Sequence, residues 1–139
     1  MEDCIFCKIA KGEIPSYKIY EDKDIFAFLD IKPFSQGHCL VIPKQHFENI
    51  FDINENTLKK VVVVAKKISE KIKNKLHADG IRLSQSNGKA AGQEIMHFHL
   101  HIIPRYEGDG IPMYPTATLH LPQANFGELK KIAEKLSNK

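Results

Sequence analysis

Five short apolar stretches, bounded by polar turns or proline, predict β-strands in this chain. They span residues 17–20, 25–29, 39–42, 81–85 and 97–103, and residues 4–10 carry apolar side chains at helical spacing. Strands that follow one another like hairpins, with helices gathered between them, are typical of an α+β domain with an antiparallel sheet. We therefore predict about five strands in one domain that covers residues 1–139.

A long helix is predicted between the third and fourth strands. Four consecutive valines favour a strand on propensity alone, but the wider spacing follows the i, i+3, i+4 pattern of an amphipathic helix. The predicted apolar stripe consists of Leu58, Val61, Val62, Ala65, Ile68, Ile72 and Leu76. Asp52 and Glu55 predict the start of this helix, and Asn125 with Glu128 predicts a last amphipathic helix at the C-terminal end.

Composition excludes few classes of protein. Hydrophobic residues make up 42% and charged residues 27% of the chain, with a net charge of +3, as in an ordinary globular domain. We expect no nucleic acid partner and no membrane segment, because the charge is mild and no run approaches the ~20 apolar residues of a span. An acidic opening without a signal-peptide pattern and an odd number of cysteines predict a reducing, cytoplasmic location.

Three histidines alternate with apolar residues in the last predicted strand, His97-Phe98-His99-Leu100-His101-Ile102-Ile103. Alternation of period two places His97, His99 and His101 on one face, with neighbours about 7 Å apart. An exposed polar face is a poor explanation, because each ring brings nitrogens that need partners. Imidazole titrates nearest neutrality, so one ring can attack phosphorus while a second, charged ring protonates the leaving group.

This run resembles the signature of the histidine-triad (HIT) family, His-φ-His-φ-His-φ-φ with φ apolar. The resemblance extends over most of the chain and is strongest toward the Hint-like branch. It includes Leu29-Asp30-Ile31-Lys32-Pro33, the segment from Gly37 to His46, and Asn87-Gly88-Lys89-Ala90-Ala91-Gly92-Gln93 before the triad. It implies the HIT fold, with a five-stranded antiparallel sheet, a long amphipathic helix and a C-terminal helix.

The resemblance also implies roles for individual residues. His99 matches the nucleophile that forms a nucleotidyl-enzyme intermediate, and His101 matches the ring that contacts the phosphate and assists the leaving group. Asp30 matches the acid that binds the ribose hydroxyls. The remaining substrate-binding assignments are an apolar purine pocket with Ile5, Phe6, Ile9, Ile14, Phe28 and Ile31, for which core packing is the alternative, and polar contacts from Asn87 and Gln93.

Two positions depart from the family pattern on the leaving-group side. Ser86 stands where relatives usually have Asn or Gln, and Asn87 follows it. Glu94 stands three residues before His97, where a hydroxyl-bearing residue is usual. A carboxylate at that position disfavours an anion, so the leaving-group preference stays open.

Cys4 and Cys7 have the Cys-x-x-Cys spacing of zinc sites, with a redox pair as the alternative. Relatives with this N-terminal pair bind zinc together with two histidines, and the matching residues here are His46 and His97. The resemblance therefore implies a structural zinc ion held by Cys4, Cys7, His46 and His97. A metal centre built from His97, His99 and His101 is the competing arrangement.

The resemblance as a whole implies a homodimeric nucleotide hydrolase or transferase. Its substrates are expected to be purine nucleoside 5′-phosphoramidates or related mononucleotide adducts of the AMP or GMP type, cleaved at the α-phosphate without an organic cofactor. A dinucleoside polyphosphate hydrolase and a zinc-bearing interaction protein with vestigial catalysis are the alternatives.

Overall fold

One five-stranded antiparallel sheet organises the residues that the computed structural model describes, 3–113 and 126–137. The strands are β1 (Lys18–Glu21), β2 (Ile25–Leu29), β3 (Cys39–Pro43), β4 (Gly80–Ser84) and β5 (Leu100–Arg105), in the order β1-β2-β3-β5-β4. The helices are α1 (Ile5–Ala10), α2 (Glu55–Leu76) and α3 (Phe126–Ser137). The predicted α+β class, with its long helix and C-terminal helix, is confirmed.

The two faces of the sheet have different partners, because successive side chains of a strand alternate between faces. Odd-numbered residues of β2 and β3, such as Ala27 and Val41, share the main core with α2 and α3. Even-numbered residues of the same strands, such as Phe28 and Leu40, pack with Phe6 of α1. The register pairs Phe28 with Leu40 and His101 with both Leu40 and Ser84. One row of side chains therefore crosses the second face from β2 to β4.

The valine run lies within α2, as its spacing predicts, but the buried face differs from the predicted stripe. Val64 is buried, whereas Val62 is 49% exposed. The helix also begins later than predicted, because Asn54 and not Asp52 caps it. The Asn54 carboxamide accepts the Thr57 N–H at 2.7 Å, while the Asp52 carboxylate accepts the N–H groups of Glu48 and Asn49.

The fifth strand is shorter than predicted and begins only at Leu100. His97 and His99 precede it in a segment where the Phe98 N–H donates to the Phe47 carbonyl at 2.7 Å. Phe98, Leu100 and Ile102 still point into the main core, as the alternation predicts. The predicted capping residue Asn125 lies outside the described residues. Among the residues described, every helix is too short or too polar to cross a membrane.

Candidate active site and metal centre

A cavity of about 890 Å³ opens on the face of the sheet that carries α1. Its apolar wall contains all six residues of the predicted purine pocket, and its polar wall contains two of the triad histidines and several further side chains. The lining residues include Ile5, Phe6, Ile9, Ile14, Phe28, Asp30, Ile31, His38, Arg82, Ser84, Ser86, Glu94, His99 and His101. An apolar slot beside a few polar groups is the usual form of a ligand site.

The ring of His99 is oriented by the backbone. Its Nδ1 lies 2.8 Å from the carbonyl oxygen of His97, and a carbonyl can only accept, so Nδ1 carries the proton. The lone pair of a neutral His99 is therefore on Nε2. Burial lowers the pKa of His99, against the opposing effects of this hydrogen bond and of the charges on Asp30 and Glu94. A neutral ring with a free Nε2 is the nucleophilic form of imidazole.

His101 is oriented by a residue that the sequence does not single out, His38. The Phe34 backbone N–H donates to His38 Nδ1 at 3.0 Å, so His38 is neutral with its proton on Nε2. That nitrogen donates to His101 Nδ1 at 3.0 Å, which leaves the N–H of His101 on Nε2. Burial and the neighbouring His99 lower the pKa of His101 to about 4. Without a ligand His101 is thus a neutral hydrogen-bond donor and not the charged ring that the sequence predicts.

Replacement of His38 by Phe is expected to lower kcat by roughly 10- to 100-fold, less than the ~10²–10⁴ typical of a group that transfers a proton directly. The new ring retains the stacking with Phe34 (ring centroids 5.3 Å apart) but has no Nε2–H to orient His101. Nucleotide affinity should change little. Nitrogen NMR shows which ring nitrogen of His101 carries the proton. We expect this tautomer to change in the variant, whereas a purely structural role for His38 predicts that it stays the same. His38→Gln, which keeps a donor, should restore part of kcat.

Asp30 lies at the end of β2, at the edge of the cavity. Its Oδ1 accepts the Lys32 N–H at 2.8 Å, and its Oδ2 lies 3.8 Å from His38 Nε2. Asp30, His38 and His101 are close enough to be considered as metal ligands. The proton on His38 Nε2 occupies the position that a metal ion requires, so this group is better described as a chain of hydrogen-bonding side chains.

Asn87 and Gln93 are absent from the cavity lining among the described residues. The Asn87 carboxamide accepts the Ile50 N–H at 2.7 Å and bonds to Gln85. Gln93 is buried, accepts the Gly88 N–H at 2.7 Å and donates to the Glu48 carbonyl at 2.6 Å. Both side chains therefore brace the loop before the triad. Ser86 and Glu94, the two departures from the family pattern, do line the cavity.

A second group forms behind the cavity around His97, which is fully buried. Its Nδ1 lies 3.3 Å from Cys4 Sγ and 3.5 Å from Cys7 Sγ, and His46 Nδ1 lies 3.4 Å from Cys7 Sγ. The helix α1 supplies the local geometry, because Cys4 caps it and accepts the Cys7 N–H. All four donor atoms lie within 4.8 Å of one another.

The chemistry of these four residues fits a metal ion. His97 Nε2 donates to the Pro43 carbonyl at 2.8 Å, so the Nδ1 lone pair points to the two sulfurs. Ligands of a tetrahedral zinc ion, at ~2.3 Å for sulfur and ~2.0 Å for nitrogen, lie roughly 3.5 Å from one another, and the observed contacts are near that spacing. Burial raises the pKa of Cys7, so a cation is needed to stabilise its thiolate. Among the described residues, the three triad rings do not form a common metal-binding group.

Comparison with known proteins decides the family. The HIT domain model matches residues 11–108 of the chain. The chain belongs to the HIT family. The HIT match includes the whole triad and Asp30 but begins after Cys4 and Cys7.

One relative and two solved structures of the HIT family match almost the whole chain. An adenosine 5′-monophosphoramidase of Candida albicans is 38% identical over 96% of this chain and 88% of its own length. A zinc-bound histidine triad protein from Mycobacterium smegmatis has a TM-score of 0.83 and 34% identity over 98% of this chain and 91% of its own. A Hit-like protein from Bartonella henselae, described as involved in cell-cycle regulation, has a TM-score of 0.86 and 38% identity over 99% and 96%. The sheet and helices are thus those of the HIT fold.

Proposed function

We propose that this protein is a nucleotide hydrolase that cleaves purine nucleoside 5′-phosphoramidates at the α-phosphate through a nucleotidyl-histidine intermediate. The observation that carries the proposal is the pair of rings on the cavity wall. His99 has its lone pair on Nε2, and His101, whose ring centroid is 5.0 Å away, has its N–H on Nε2. A nucleophile and a donor are therefore available to one phosphate. The phosphoramidase activity of the Candida albicans relative supports this choice of reaction.

The first step of the proposed reaction is attack by His99 Nε2 on the α-phosphorus. A bond forms between Nε2 and phosphorus, and the electron pair of the bond between phosphorus and the leaving nitrogen goes to that nitrogen, which takes up a proton from solvent. His101 Nε2–H donates to the phosphoryl oxygen or the departing amine, where negative charge develops. An anionic phosphate beside both rings raises their pKa values and opposes the effect of burial. The amine leaves, and the nucleotide stays attached to His99.

Water completes the reaction. Its oxygen bonds to phosphorus, the bond to His99 Nε2 breaks, and the proton released by water balances the one taken up by the amine. The hydrogen bond from His99 Nδ1 to the His97 carbonyl stabilises positive charge on the imidazole when Nε2 bonds to phosphorus. Removal of the amine from the cavity gives water its access.

The nucleoside is placed on the β2 side of the triad. Phe6 and Phe28 meet edge to face at 5.6 Å and form the apolar wall, to which Ile9 and the exposed Ile31 add surface. Asp30, with its Oδ2 directed toward His38, is the group that we assign to the ribose hydroxyls. The size and apolar character of this wall suit a purine ring.

We also propose that Cys4, Cys7, His46 and His97 bind one structural zinc ion. The fit of the four donor atoms supports this, and so does the zinc-bound relative from Mycobacterium smegmatis. When bound, the ion supplies a cross-link between the N-terminal helix and the segment before β5. With all four positions taken by protein, it leaves no open coordination site for chemistry.

A homodimer remains a prediction, supported by the half-exposed Leu83 on the edge strand β4 and by Val63 on α2. The molecular mass in solution, measured by light scattering, tests it, and a monomer at micromolar concentration would reject it. A cytoplasmic location agrees with three free cysteines and is tested by fractionation of the source cells.

Incubation with adenosine 5′-phosphoramidate is expected to release AMP and ammonia, measured by chromatography. Parallel incubation with diadenosine polyphosphates tests the alternative dinucleoside polyphosphate hydrolase activity. Guanosine 5′-phosphoramidate tests whether the enzyme prefers adenine or guanine. Faster release from the polyphosphates would replace the proposed substrate class. Tight AMP binding without turnover of any of these compounds would favour the interaction-protein alternative.

A further inference from the structure

Glu94 is the cavity carboxylate that the proposed reaction does not yet use. Among the described residues its side chain has neither a hydrogen bond nor an ion pair. Asp30, the other cavity carboxylate, accepts the Lys32 N–H and faces His38. Both oxygens of the Glu94 carboxylate are thus available to a ligand, whereas Asp30 Oδ1 is already engaged by the Lys32 N–H.

The backbone on both sides of Glu94 is fixed, so its position is built into the fold. The buried side chain of Gln93 donates to the Ile95 carbonyl at 3.1 Å and accepts the Gly88 N–H. Ile95 packs against the α1 cluster that contains Phe6. Pairing with a ligand therefore requires ordering of the Glu94 side chain but not of the backbone that carries it.

The sheet order separates the nucleoside side of the cavity from the side toward which the leaving group departs. β2, with the nucleoside wall and Asp30, and β4, with Ser84, lie on opposite sides of β5 and its triad. Glu94 belongs to the loop that joins β4 to β5, and like Ser86 of the same loop it lines the cavity. A phosphate held at His99 with its nucleoside toward β2 directs its leaving group away from β2, toward the start of this loop.

Electrostatic effects agree with this placement. The negative charges of Glu94 and of Asp30 both act on the His99 ring. Arg82 also lines the cavity, but its register partner is Ile103, two residues beyond His101 and away from His99. Of Glu94 and Arg82, Glu94 is the one whose charge acts on the His99 ring.

We infer that Glu94 selects nucleotide adducts whose leaving group carries a positive charge, such as a diamine or another amine with a second ammonium group. This inference rests on the proposed function, since it needs a nucleotide on His99. Ion pairing between the carboxylate and the distal ammonium stabilises the bound substrate and its transition state. Because Glu94 is exposed, the selectivity is modest and decreases with added salt.

Three adenosine 5′-phosphoramidates test the inference, made from 1,3-diaminopropane, n-butylamine and β-alanine. These leaving groups are similar in length and are cationic, neutral and anionic at neutral pH. We expect kcat/KM to decrease in that order, with a ratio of cationic to neutral substrate of roughly 2- to 5-fold at low salt. Glu94→Gln should bring this ratio close to one, and Glu94→Lys should invert it. Glu107→Gln, the same charge change six residues beyond His101, should leave the ratio as it is.

The outcomes separate the two proposals. Turnover of all three substrates with a ratio that Glu94→Gln does not change would overturn the role of Glu94 and leave the phosphoramidase function in place. A preference for the β-alanine adduct would indicate that Arg82, and not Glu94, selects the leaving group. No turnover of any of the three would reject the proposed function and the inference with it. The ratio of two kcat/KM values measured on one variant does not change if part of the protein is unfolded, because each substrate encounters the same fraction of active enzyme.

Discussion

Replacement of His99 by Ala is expected to abolish phosphoramidate turnover, by at least about 10⁴-fold in kcat, the scale seen when a nucleophile is removed. Among the described residues that line the cavity, the neighbouring imidazole cannot replace His99, because His101 has its proton on Nε2 and shares Nδ1 with His38. Phe6 of the nucleoside wall loses its edge-to-face contact with the His99 ring (5.2 Å) but keeps the one with Phe28, and Asp30 keeps its hydrogen bond from the Lys32 N–H. Binding of AMP, measured by calorimetry, should therefore remain within a few-fold of the wild-type value.

A trapping experiment separates covalent catalysis from simple activation of water. Brief reaction with labelled substrate, followed by quenching without acid, should give a nucleotide label on a peptide that contains His99. His77→Asn is a matched control, because His77 is exposed and ends α2 with a left-handed backbone that Asn accepts. Near-normal turnover by His99→Ala would reject the covalent mechanism, and a label on another residue would reassign the nucleophile.

Replacement of both Cys4 and Cys7 by Ser is expected to remove one zinc ion per chain and to lower the melting temperature by more than roughly 10 °C. The four donors connect α1, the segment after β3 and the segment before β5. Loss of the ion leaves the fully buried His97 without its cation, at a cost of several kcal/mol, and each kcal/mol lowers the melting temperature by roughly 3–4 °C in a chain of this size. Metal analysis and calorimetry measure the two effects.

Cys39→Ala is the matched thiol control. Cys39 is fully buried in β3, where burial raises the pKa of its thiol far above the usual range, and it lies outside the four-residue group. This variant should lose stability through a small cavity but keep its zinc. A wild-type protein that is free of metal and already fully stable would contradict the structural-zinc proposal. Turnover by the Cys4/Cys7 variant at low temperature should persist, since the reacting rings are other ones.

Interactions close in sequence were predictable, because short-range geometry determines them. Alternation places Phe98, Leu100 and Ile102 in the main core, as predicted. Cys4 and Cys7 are one helical turn apart, so their sulfur atoms lie on the same side of the helix however the rest of the chain folds. The phase of α2 was predicted only approximately, because the exposure of Val62 and the burial of Val64 depend on how the helix lies on the sheet.

The role of His38 was not predictable from the sequence. It is 63 residues from His101, and nothing in the segment around it differs from an ordinary strand start. Two features of the tertiary structure create the contact. The register places His101 opposite Leu40 on β3, and the Phe34 N–H turns the His38 ring so that Nε2 faces His101. The only available signal was a histidine next to a predicted strand of the triad sheet, which is too common to be decisive.

By itself, the sequence determined the types of chemistry in this protein, namely imidazoles on one face of a chain segment, a thiol pair at metal spacing and a carboxylate after the second strand. Local backbone geometry determines these, because it depends only on neighbouring residues. The tertiary structure alone decided which nitrogen of each ring carries its proton and that Asn87 and Gln93 brace a loop outside the cavity lining. Hydrogen bonds between distant segments decide such states, and those bonds exist only once the sheet has paired.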